Sequence, residues 1–251
     1  MFANFDKKKL KLNFEHSAQN YLEAAPIQRL SAEKLCKMAT PFIQENSQIL
    51  DLGSGTGFVT ESLNALCAPD IFELDLAFEM LQQNQNNSSK IQADFENLPF
   101  KNHSFDILIS SFSLQWLTDF DQSFSQFFSL LKPKGVFIFC LPTDGSLSEL
   151  AAANIFNFNQ LPKIETLKTS LKKSGFTEIS STTQSVKQVF ENGVAALKSL
   201  KKIGANYAEK NSRIITKTNL AQFNNFCLKN FGTNTRKIEI SWNVSYFIFS
   251  K

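Results

Sequence analysis

The chain has 251 residues, of which 43% are hydrophobic and 20% are charged, and its formal net charge is +3. This composition is that of a folded globular protein with a substantial core, and it excludes a disordered or low-complexity chain. The net charge is too small to indicate nucleic-acid binding, and no apolar run approaches the roughly 20 residues of a membrane span. We expect a monomer without nucleic-acid or membrane partners.

The N-terminal segment and the cysteines indicate a cytoplasmic protein. The first residues are rich in lysine and lack the apolar core of a signal peptide. The four cysteines are far apart, and with only two histidines they form no zinc-ligand pattern. We therefore expect free thiols and no metal site.

Short apolar runs alternate with longer amphipathic stretches, a pattern typical of a parallel sheet flanked by helices. We predict a single domain with a Rossmann-like α/β fold. The first five predicted strands are residues 48–52, 71–75, 90–93, 105–110 and 136–141. Helices at 58–67 and 121–131 connect strands within this series.

Helical segments precede and follow this core. An N-terminal helical section, residues 1–46, contains two predicted helices within 15–40 that are separated by Pro26. The last predicted strands, 177–189 and 238–249, favour an antiparallel hairpin at the sheet edge, and the helical insertion 190–231 between them is predicted to be a lid. The other predicted helices are residues 147–158, 164–173, 193–203 and 220–231.

A glycine-rich turn follows the first strand. It contains Gly53, Gly55 and Gly57, where a backbone must come close to a ligand, and Asp51 precedes it. Dinucleotide-binding folds usually show G-x-G-x-x-G, whereas the spacing here is G-x-G-x-G. S-adenosylmethionine carries an ammonium and a sulfonium rather than a phosphate, so a carboxylate at the strand end suits this ligand. A nicotinamide dehydrogenase is correspondingly disfavoured.

Three further features follow the later strands. Asp75 ends the second strand, where an acid can accept hydrogen bonds from ribose hydroxyls, although it could also cap the next helix. Asp94 and Phe95 follow the third strand and offer an acceptor for an adenine amino group beside an aromatic face. The segment 110–116 follows the fourth strand, where a substrate pocket is expected, although its Trp116 could be a core residue.

With these features the chain resembles the class I S-adenosylmethionine-dependent methyltransferases, and more narrowly the malonyl-acyl-carrier-protein O-methyltransferases of biotin synthesis. The resemblance covers nearly the whole chain, and its segments 145–150 and 197–205 are the most selective. The family usually has arginine where this chain has His16. The other residues that carry the resemblance are Phe14, Ala18, Tyr21, Ala25, Gln28, Arg29 and the segments 113–116 and 131–135.

The resemblance implies methyl transfer to the free carboxylate of malonyl on acyl carrier protein. A carboxylate is already a nucleophile, so no general base is expected, and Tyr21 and Gln115 would position the reactants. The cofactor S-adenosylmethionine is assigned Asp51, Gly53, Gly55, Gly57, Asp75, Met80, Asp94 and Phe95. The substrate is assigned Tyr21, Gln28, Arg29, Gln115 and Trp116.

Three lysines of one predicted helix suggest a docking surface. Lys198, Lys201 and Lys202 recur three and four residues apart, which places them on one helix face. Acyl carrier proteins are acidic, so this face could dock the carrier, or it could simply be the solvated face of the lid.

Two other functions remain open at this level. The same fold could methylate another small acid or a quinone-type ring. The chain also resembles, between Ser110 and Leu150, methyltransferase-like assembly factors of respiratory complexes, which act on a protein partner. The segments 145–150 and 197–205 favour the biotin-pathway family over both.

Overall fold

The structure is a computed structural model that describes residues 6–155, 160–205, 216–235 and 237–251. These residues form one mixed seven-stranded sheet in the order β3-β2-β1-β4-β5-β7-β6. The strands are β1 Ile49–Leu52, β2 Ile71–Asp75, β3 Ser89–Gln92, β4 Phe105–Ser111, β5 Leu131–Pro142, β6 Thr177–Phe190 and β7 Ile238–Ser250. The predicted Rossmann-like fold is confirmed.

The first five strands are parallel, whereas β7 runs antiparallel to both β5 and β6. The predicted antiparallel pair at the sheet edge is therefore confirmed. The strand order reverses between β1 and β4, and in open α/β sheets a ligand binds at the carboxyl ends of the strands beside this switch point.

Nine α-helices lie in the described part of the chain. They are α1 Lys7–Ala24, α2 Pro26–Ala39, α3 Phe58–Leu66, α4 Phe78–Gln83, α5 Phe120–Leu130, α6 Ser148–Ala151, α7 Ile164–Lys173, α8 Gly193–Lys202 and α9 Lys217–Phe231. None of these described helices is both long enough and apolar enough to cross a bilayer.

Helix α1 begins earlier than the sequence pattern predicted. The prediction of a start at residue 15 is wrong, because the helix begins at Lys7. The Asp6 side chain caps it by accepting hydrogen bonds from the backbone N–H groups of Lys8 and Lys9. The lysine-rich first turn concealed this start, because Lys7, Lys8 and Lys9 interrupt the apolar periodicity that marks a helix in the sequence.

The predicted helix 147–158 is also wrong in its extent. Of its described residues only Ser148–Ala151 is helical, and Leu147 precedes this turn with a left-handed φ of +58°. Residues 156–159 of that prediction lie outside the described residues. The segment is held by β7 instead of forming a longer helix, since the backbone N–H of Leu147 donates to the carbonyl oxygen of Ser241 at 2.8 Å.

The core lies on both faces of the sheet. On one face the apolar residues of α2, α3, α8 and α9 pack against the sheet, and on the other face those of α5 and α7 do. The second face is built from leucine and phenylalanine. Phe139 stacks on Phe137 with ring centroids 4.6 Å apart and on Phe247 with centroids 4.8 Å apart. Much of the phenylalanine in this chain therefore serves packing.

Truncation of this aromatic stack should destabilise the protein. We expect Phe139→Ala to lower the free energy of unfolding by about 3–5 kcal/mol, because it leaves a cavity in the core. Urea denaturation followed by circular dichroism measures this change. The matched control is Phe78→Ala, whose side chain is 46% exposed. An equal loss in both variants would contradict this assignment of the core.

Candidate functional site

A cleft opens at the carboxyl ends of the first four strands, beside the switch point. It contains about 750 Å³ of space that no protein atom fills, part of which is open to solvent. We call it the switch-point cleft. Its lining residues are Lys7, Leu10, Lys11, Phe14, Tyr21, Gly53, Ser54, Gly55, Asp75, Leu76, Ala77, Met80, Asp94, Phe95, Ser111, Phe112, Ser113 and Trp116.

Two glycines of the turn after β1 border the cleft without side chains. Gly53 has a φ of +73°, and a Cβ there would lie 2.4 Å from the Ser113 side chain. Gly55 has a φ of +55°, and a Cβ there would stand 3.5 Å from Cε of Met80 and 4.0 Å from Oδ2 of Asp75. Side chains at these positions would fill the space where a ligand can approach the backbone.

The sequence assigns Gly57 to the cofactor, whereas in the structure Gly57 does not line the cleft. It is the left-handed residue before α3, with a φ of +88°. A Cβ there would lie 2.3 Å from Nδ2 of Asn86, which donates to the Gly57 carbonyl oxygen at 2.9 Å. This position therefore shapes the turn through packing.

Asp75 joins the glycine-rich turn to the start of α4. Its Oδ2 accepts from the backbone N–H of Gly55 and its Oδ1 accepts from that of Ala77, each at 2.8 Å. Each carboxylate oxygen can accept a further hydrogen bond. Burial raises the pKa of Asp75 to about 6, while the backbone donors act in the opposite direction.

Asp51 lies within β1, fully buried, and does not line the cleft. Neither carboxylate oxygen has a hydrogen-bond partner in the described chain. Burial and the negative charges of Glu73 and Asp75 raise the pKa of Asp51 well above its usual value. Since three acids stand close together at the switch point, a cationic ligand bound beside them would be favoured electrostatically.

Asp94 and Phe95 both border the cleft. The Asp94 carboxylate accepts from Nζ of Lys7 and from the backbone N–H of Glu96, and Lys7 also pairs with the Glu96 carboxylate. These two acids raise the pKa of Lys7 against the lowering effect of burial. Lys7 thus ties the start of α1 to the loop after β3.

One face of α1 covers the cleft. The sequence analysis did not predict this cover. This face carries Lys7, Leu10, Lys11 and Phe14, and the Phe14 ring meets Trp116 edge-on with centroids 5.9 Å apart. Leu10, Phe14 and Tyr21 recur at helical spacing. A helix predicted from Asp6 onward would have placed them on one face.

Tyr21 lies on the same face of α1 and borders the cleft. Its ring stacks on Phe58 with centroids 6.0 Å apart. Burial, with a smaller contribution from the charge of Asp75, raises the pKa of the Tyr21 phenol above its usual value. The phenol is therefore a neutral hydrogen-bond donor at physiological pH.

The cleft does not include Gln28 or Arg29. Gln28 is buried on α2, and Arg29 pairs with Glu61 of α3, with its Nη1 at 2.9 Å from each carboxylate oxygen. The Arg29 guanidinium also lies 4.4 Å from the centroid of the Phe58 ring. Arg29 and Tyr21 thus both contact the Phe58 ring.

Trp116 lines the cleft, whereas its neighbour Gln115 does not. Nε2 of Gln115 donates to the carbonyl oxygen of Phe112 at 2.7 Å. Phe112 itself lines the cleft with a left-handed φ of +55°, a strained conformation for a residue with a side chain. Gln115 therefore stabilises the backbone of a wall residue.

The three lysines of α8 share an exposed face. Lys198, Lys201 and Lys202 are exposed, while the opposite face of α8 buries Ala196 and Leu200. None of the three forms an ion pair with a residue that the structure describes.

Comparison with known proteins agrees with this arrangement. A family model described as "Methyltransferase domain" matches residues 50–139. A malonyl-[acyl-carrier protein] O-methyltransferase from Buchnera aphidicola is 33% identical, over 86% of this chain and 89% of the relative. One from Marinomonas sp. is 29% identical, over 79% of this chain and 77% of the relative. A crystal structure of a SAM-dependent methyltransferase from Archaeoglobus fulgidus matches with a TM-score of 0.55 and 18% identity, over 89% of this chain and 94% of that chain.

A Rossmann-like sheet with an acidic, glycine-lined cleft at its switch point is the architecture of an enzyme that uses S-adenosylmethionine. The chain belongs to the class I S-adenosylmethionine-dependent methyltransferase family. Its resemblance to the malonyl-acyl-carrier-protein group is confirmed by the named relatives. The residues present fit the cofactor, since Gly53 and Gly55 leave room for it and Asp75 keeps acceptor capacity.

Loss of the Asp75 carboxylate should weaken cofactor binding. We expect Asp75→Ala to raise the Kd for S-adenosylmethionine by about 10- to 100-fold, as for a hydrogen bond to a charged group. Because the pKa of Asp75 is about 6, affinity in the wild type should rise with pH through that value as the carboxylate ionises. Isothermal titration calorimetry between pH 5 and about 8 measures both effects.

The control for this measurement is Asp144→Ala, which removes an exposed carboxylate away from the cleft. We expect this control to bind the cofactor as the wild type does. An unchanged Kd in Asp75→Ala would sink the assignment of Asp75 to the ribose.

Proposed function

We propose that this methyltransferase acts on the free carboxylate of malonyl carried by acyl carrier protein, an early step of biotin synthesis. The observation that carries the proposal is the chemistry of the cleft. Its described lining contains no histidine or cysteine, and its two acids, Asp75 and Asp94, are engaged by backbone N–H groups and by Lys7. A nucleophile that needs no deprotonation suits such a site, and a carboxylate is one.

We assign the parts of the cofactor to residues near the carboxyl ends of successive strands. Gly53 and Gly55 would border the methionine part, Asp75 the ribose, and Asp94 and Phe95 the adenine, with Met80 against the ribose. Asp51 and Gly57 would support the turn from behind the lining. Bound S-adenosylmethionine supplies a methyl group that is activated by its sulfonium charge.

The protein's own contribution is positioning and exclusion of water. The neutral Tyr21 phenol would donate a hydrogen bond to the substrate carboxylate, and Trp116 would close the pocket. Lys11, which also lines the cleft, supplies a positive charge that favours an anionic substrate. Gln115 would act by holding Phe112, and Arg29 would act from α2 through Phe58. Desolvation of the carboxylate next to a fixed methyl donor then supplies the rate.

The named relatives support the substrate class, since they are malonyl-[acyl-carrier protein] O-methyltransferases. The exposed lysines of α8 add a surface that suits an acidic carrier. We further propose that the protein acts as a monomer in the cytoplasm, as expected from the sequence.

The direct test is methyl transfer from labelled S-adenosylmethionine to malonyl-acyl carrier protein. We expect label on the malonyl species and none on acetyl-acyl carrier protein, which has no free carboxylate. If neither species is labelled while the protein still binds the cofactor, the substrate assignment fails, and another small acid, a quinone ring or a protein partner becomes the substrate to test.

Charge reversal on α8 should weaken recognition of the carrier. We expect the triple variant Lys198→Glu, Lys201→Glu, Lys202→Glu to raise the KM for malonyl-acyl carrier protein at least about tenfold at low salt, with less difference at high salt. Steady-state kinetics at two ionic strengths measure this effect. Cofactor affinity should not change.

The matched control reverses three exposed lysines elsewhere, namely Lys37, Lys101 and Lys163. Both triple variants change the net charge equally. An equal rise in KM in both would assign the effect to overall charge and would rule out α8 as the docking face.

A further inference from the structure

Lys11 lies where the switch-point cleft meets solvent. It lines the cleft, and its side chain is 36% exposed. Its ammonium is 3.6 Å from the carboxylate of Glu15 on the same helix, and this is its one ion pair with a residue that the structure describes. Such an exposed pair on one helix is weak. The charge of Lys11 is therefore available to an anionic ligand.

The other lysine of the cleft lining is already neutralised. Lys7 pairs with the carboxylates of both Asp94 and Glu96. The Glu96 carboxylate is itself held in place, because it accepts hydrogen bonds from the backbone N–H and the hydroxyl of Thr118 at 2.6 and 2.8 Å. Of the two lysines that line the cleft, Lys11 is thus the one that suits an anion.

Lys11 is remote from the residue proposed to hold the substrate carboxylate. Lys11 and Tyr21 both line the cleft and are ten residues apart on α1, which corresponds to about 15 Å along the helix axis. Helical side chains lean toward the N-terminus of their helix, so the lysine side chain does not shorten this separation. A carboxylate bound by Tyr21 is therefore beyond the reach of Lys11.

A carrier-bound substrate has a second anionic group at a comparable distance. Its acyl group is joined to the carrier by a pantetheine chain that ends in a phosphodiester. With about 16 bonds between the phosphorus and the malonyl carboxyl carbon, and three bonds per 3.3–3.6 Å of extended chain, the arm spans roughly 18 Å. A substrate whose carboxylate is at Tyr21 can therefore place its phosphate at Lys11.

The residues after α8 bring the docking face close to the same rim. Ala205 packs against Leu10 and Trp116, which line the cleft, and Leu10 is the neighbour of Lys11. Ala205 follows Lys202 by three residues, a distance of at most about 11 Å between their Cα atoms. A carrier docked on the lysines of α8 would therefore have its arm begin beside this rim.

We propose that the Lys11 ammonium binds the phosphate of the carrier's phosphopantetheine arm. This inference rests on the proposed function and extends it, because it names the residue that recognises the arm while Tyr21 recognises the carboxylate. An ammonium pairs with a phosphate oxygen through a charge-assisted hydrogen bond. Helix α1 then contacts the substrate at both ends, and a malonyl group without the arm lacks one of the two contacts.

The test compares two small substrates that differ only in the phosphate. One is malonyl-phosphopantetheine capped as its methyl phosphodiester, which has the same single charge as on the carrier. The other is malonyl-pantetheine, which keeps the carboxylate, the thioester and the chain. Methyl transfer from labelled S-adenosylmethionine gives kcat and KM for the wild type and for Lys11→Met, with malonyl-acyl carrier protein as the reference substrate.

We expect Lys11→Met to raise the KM for the phosphodiester by about three- to tenfold, the effect of one partly exposed charge-assisted hydrogen bond. The KM for malonyl-pantetheine should change less than about twofold, because this substrate has no phosphate to lose. The matched control is Lys8→Met, which removes an exposed lysine of the same helix that does not line the cleft. It should leave both KM values unchanged.

An equal rise in KM for both substrates would overturn the proposal, because it would assign Lys11 to the carboxylate or to the shape of the cleft. Equal KM values for the two substrates in the wild type would overturn it as well, and so would turnover of malonyl-acyl carrier protein without turnover of either small substrate. If malonyl-acyl carrier protein is not methylated, the proposed function itself has failed. Unchanged cofactor affinity in Lys11→Met is the check that the cleft is intact.

Discussion

The close approach of the ends of β1 and β4 is the constraint on which the rest of the structure depends. At this point Oγ of Ser113 donates to the carbonyl oxygen of Gly53 at 2.7 Å, and a Cβ on Gly53 would lie 2.4 Å from the Ser113 side chain. Only glycine fits a left-handed turn packed this closely. The strand order reverses here, so the chain leaves the sheet in opposite directions and a cleft remains between the departing segments.

The charges around this cleft agree with a cationic cofactor. Asp51 and Glu73 are opposite each other in the register of β1 and β2, and Asp75 ends β2. Such a group of acids is costly when buried, and it is stabilised when a positive ligand binds beside it. Helix α1 completes the site, because Lys7 pairs with Asp94 and Glu96 and brings Phe14 and Tyr21 over the opening.

Helix α8 packs against the same helix α1. Gly204, just after α8, has a φ of +72°, and a Cβ there would lie 2.8 Å from both Phe14 and Ser17 of α1. The segment 197–205 therefore packs against the helix that covers the cofactor cleft. A carrier docked on α8 would contact an element that is in direct contact with the active site.

The strands and the residues at their ends could be predicted, because a short local pattern of apolar residues determines them. Strands β1, β2 and β4 are short, mostly apolar runs, and residues at or just after the ends of β1 and β2, such as Gly53 and Asp75, lie at the cleft. Contacts between distant segments could not be predicted in this way. The cover by α1 depends on the pairing of Lys7 with a loop far along the chain, and Arg29 is directed away from the cleft by Glu61 of another helix.

The most direct test of the central claim is a crystal structure of the protein with S-adenosylhomocysteine. The cofactor product should lie in the switch-point cleft, with its ribose hydroxyls on the Asp75 carboxylate and its adenine beside Asp94 and Phe95. A ligand bound outside this cleft, or one whose ribose does not contact Asp75, would contradict the claim.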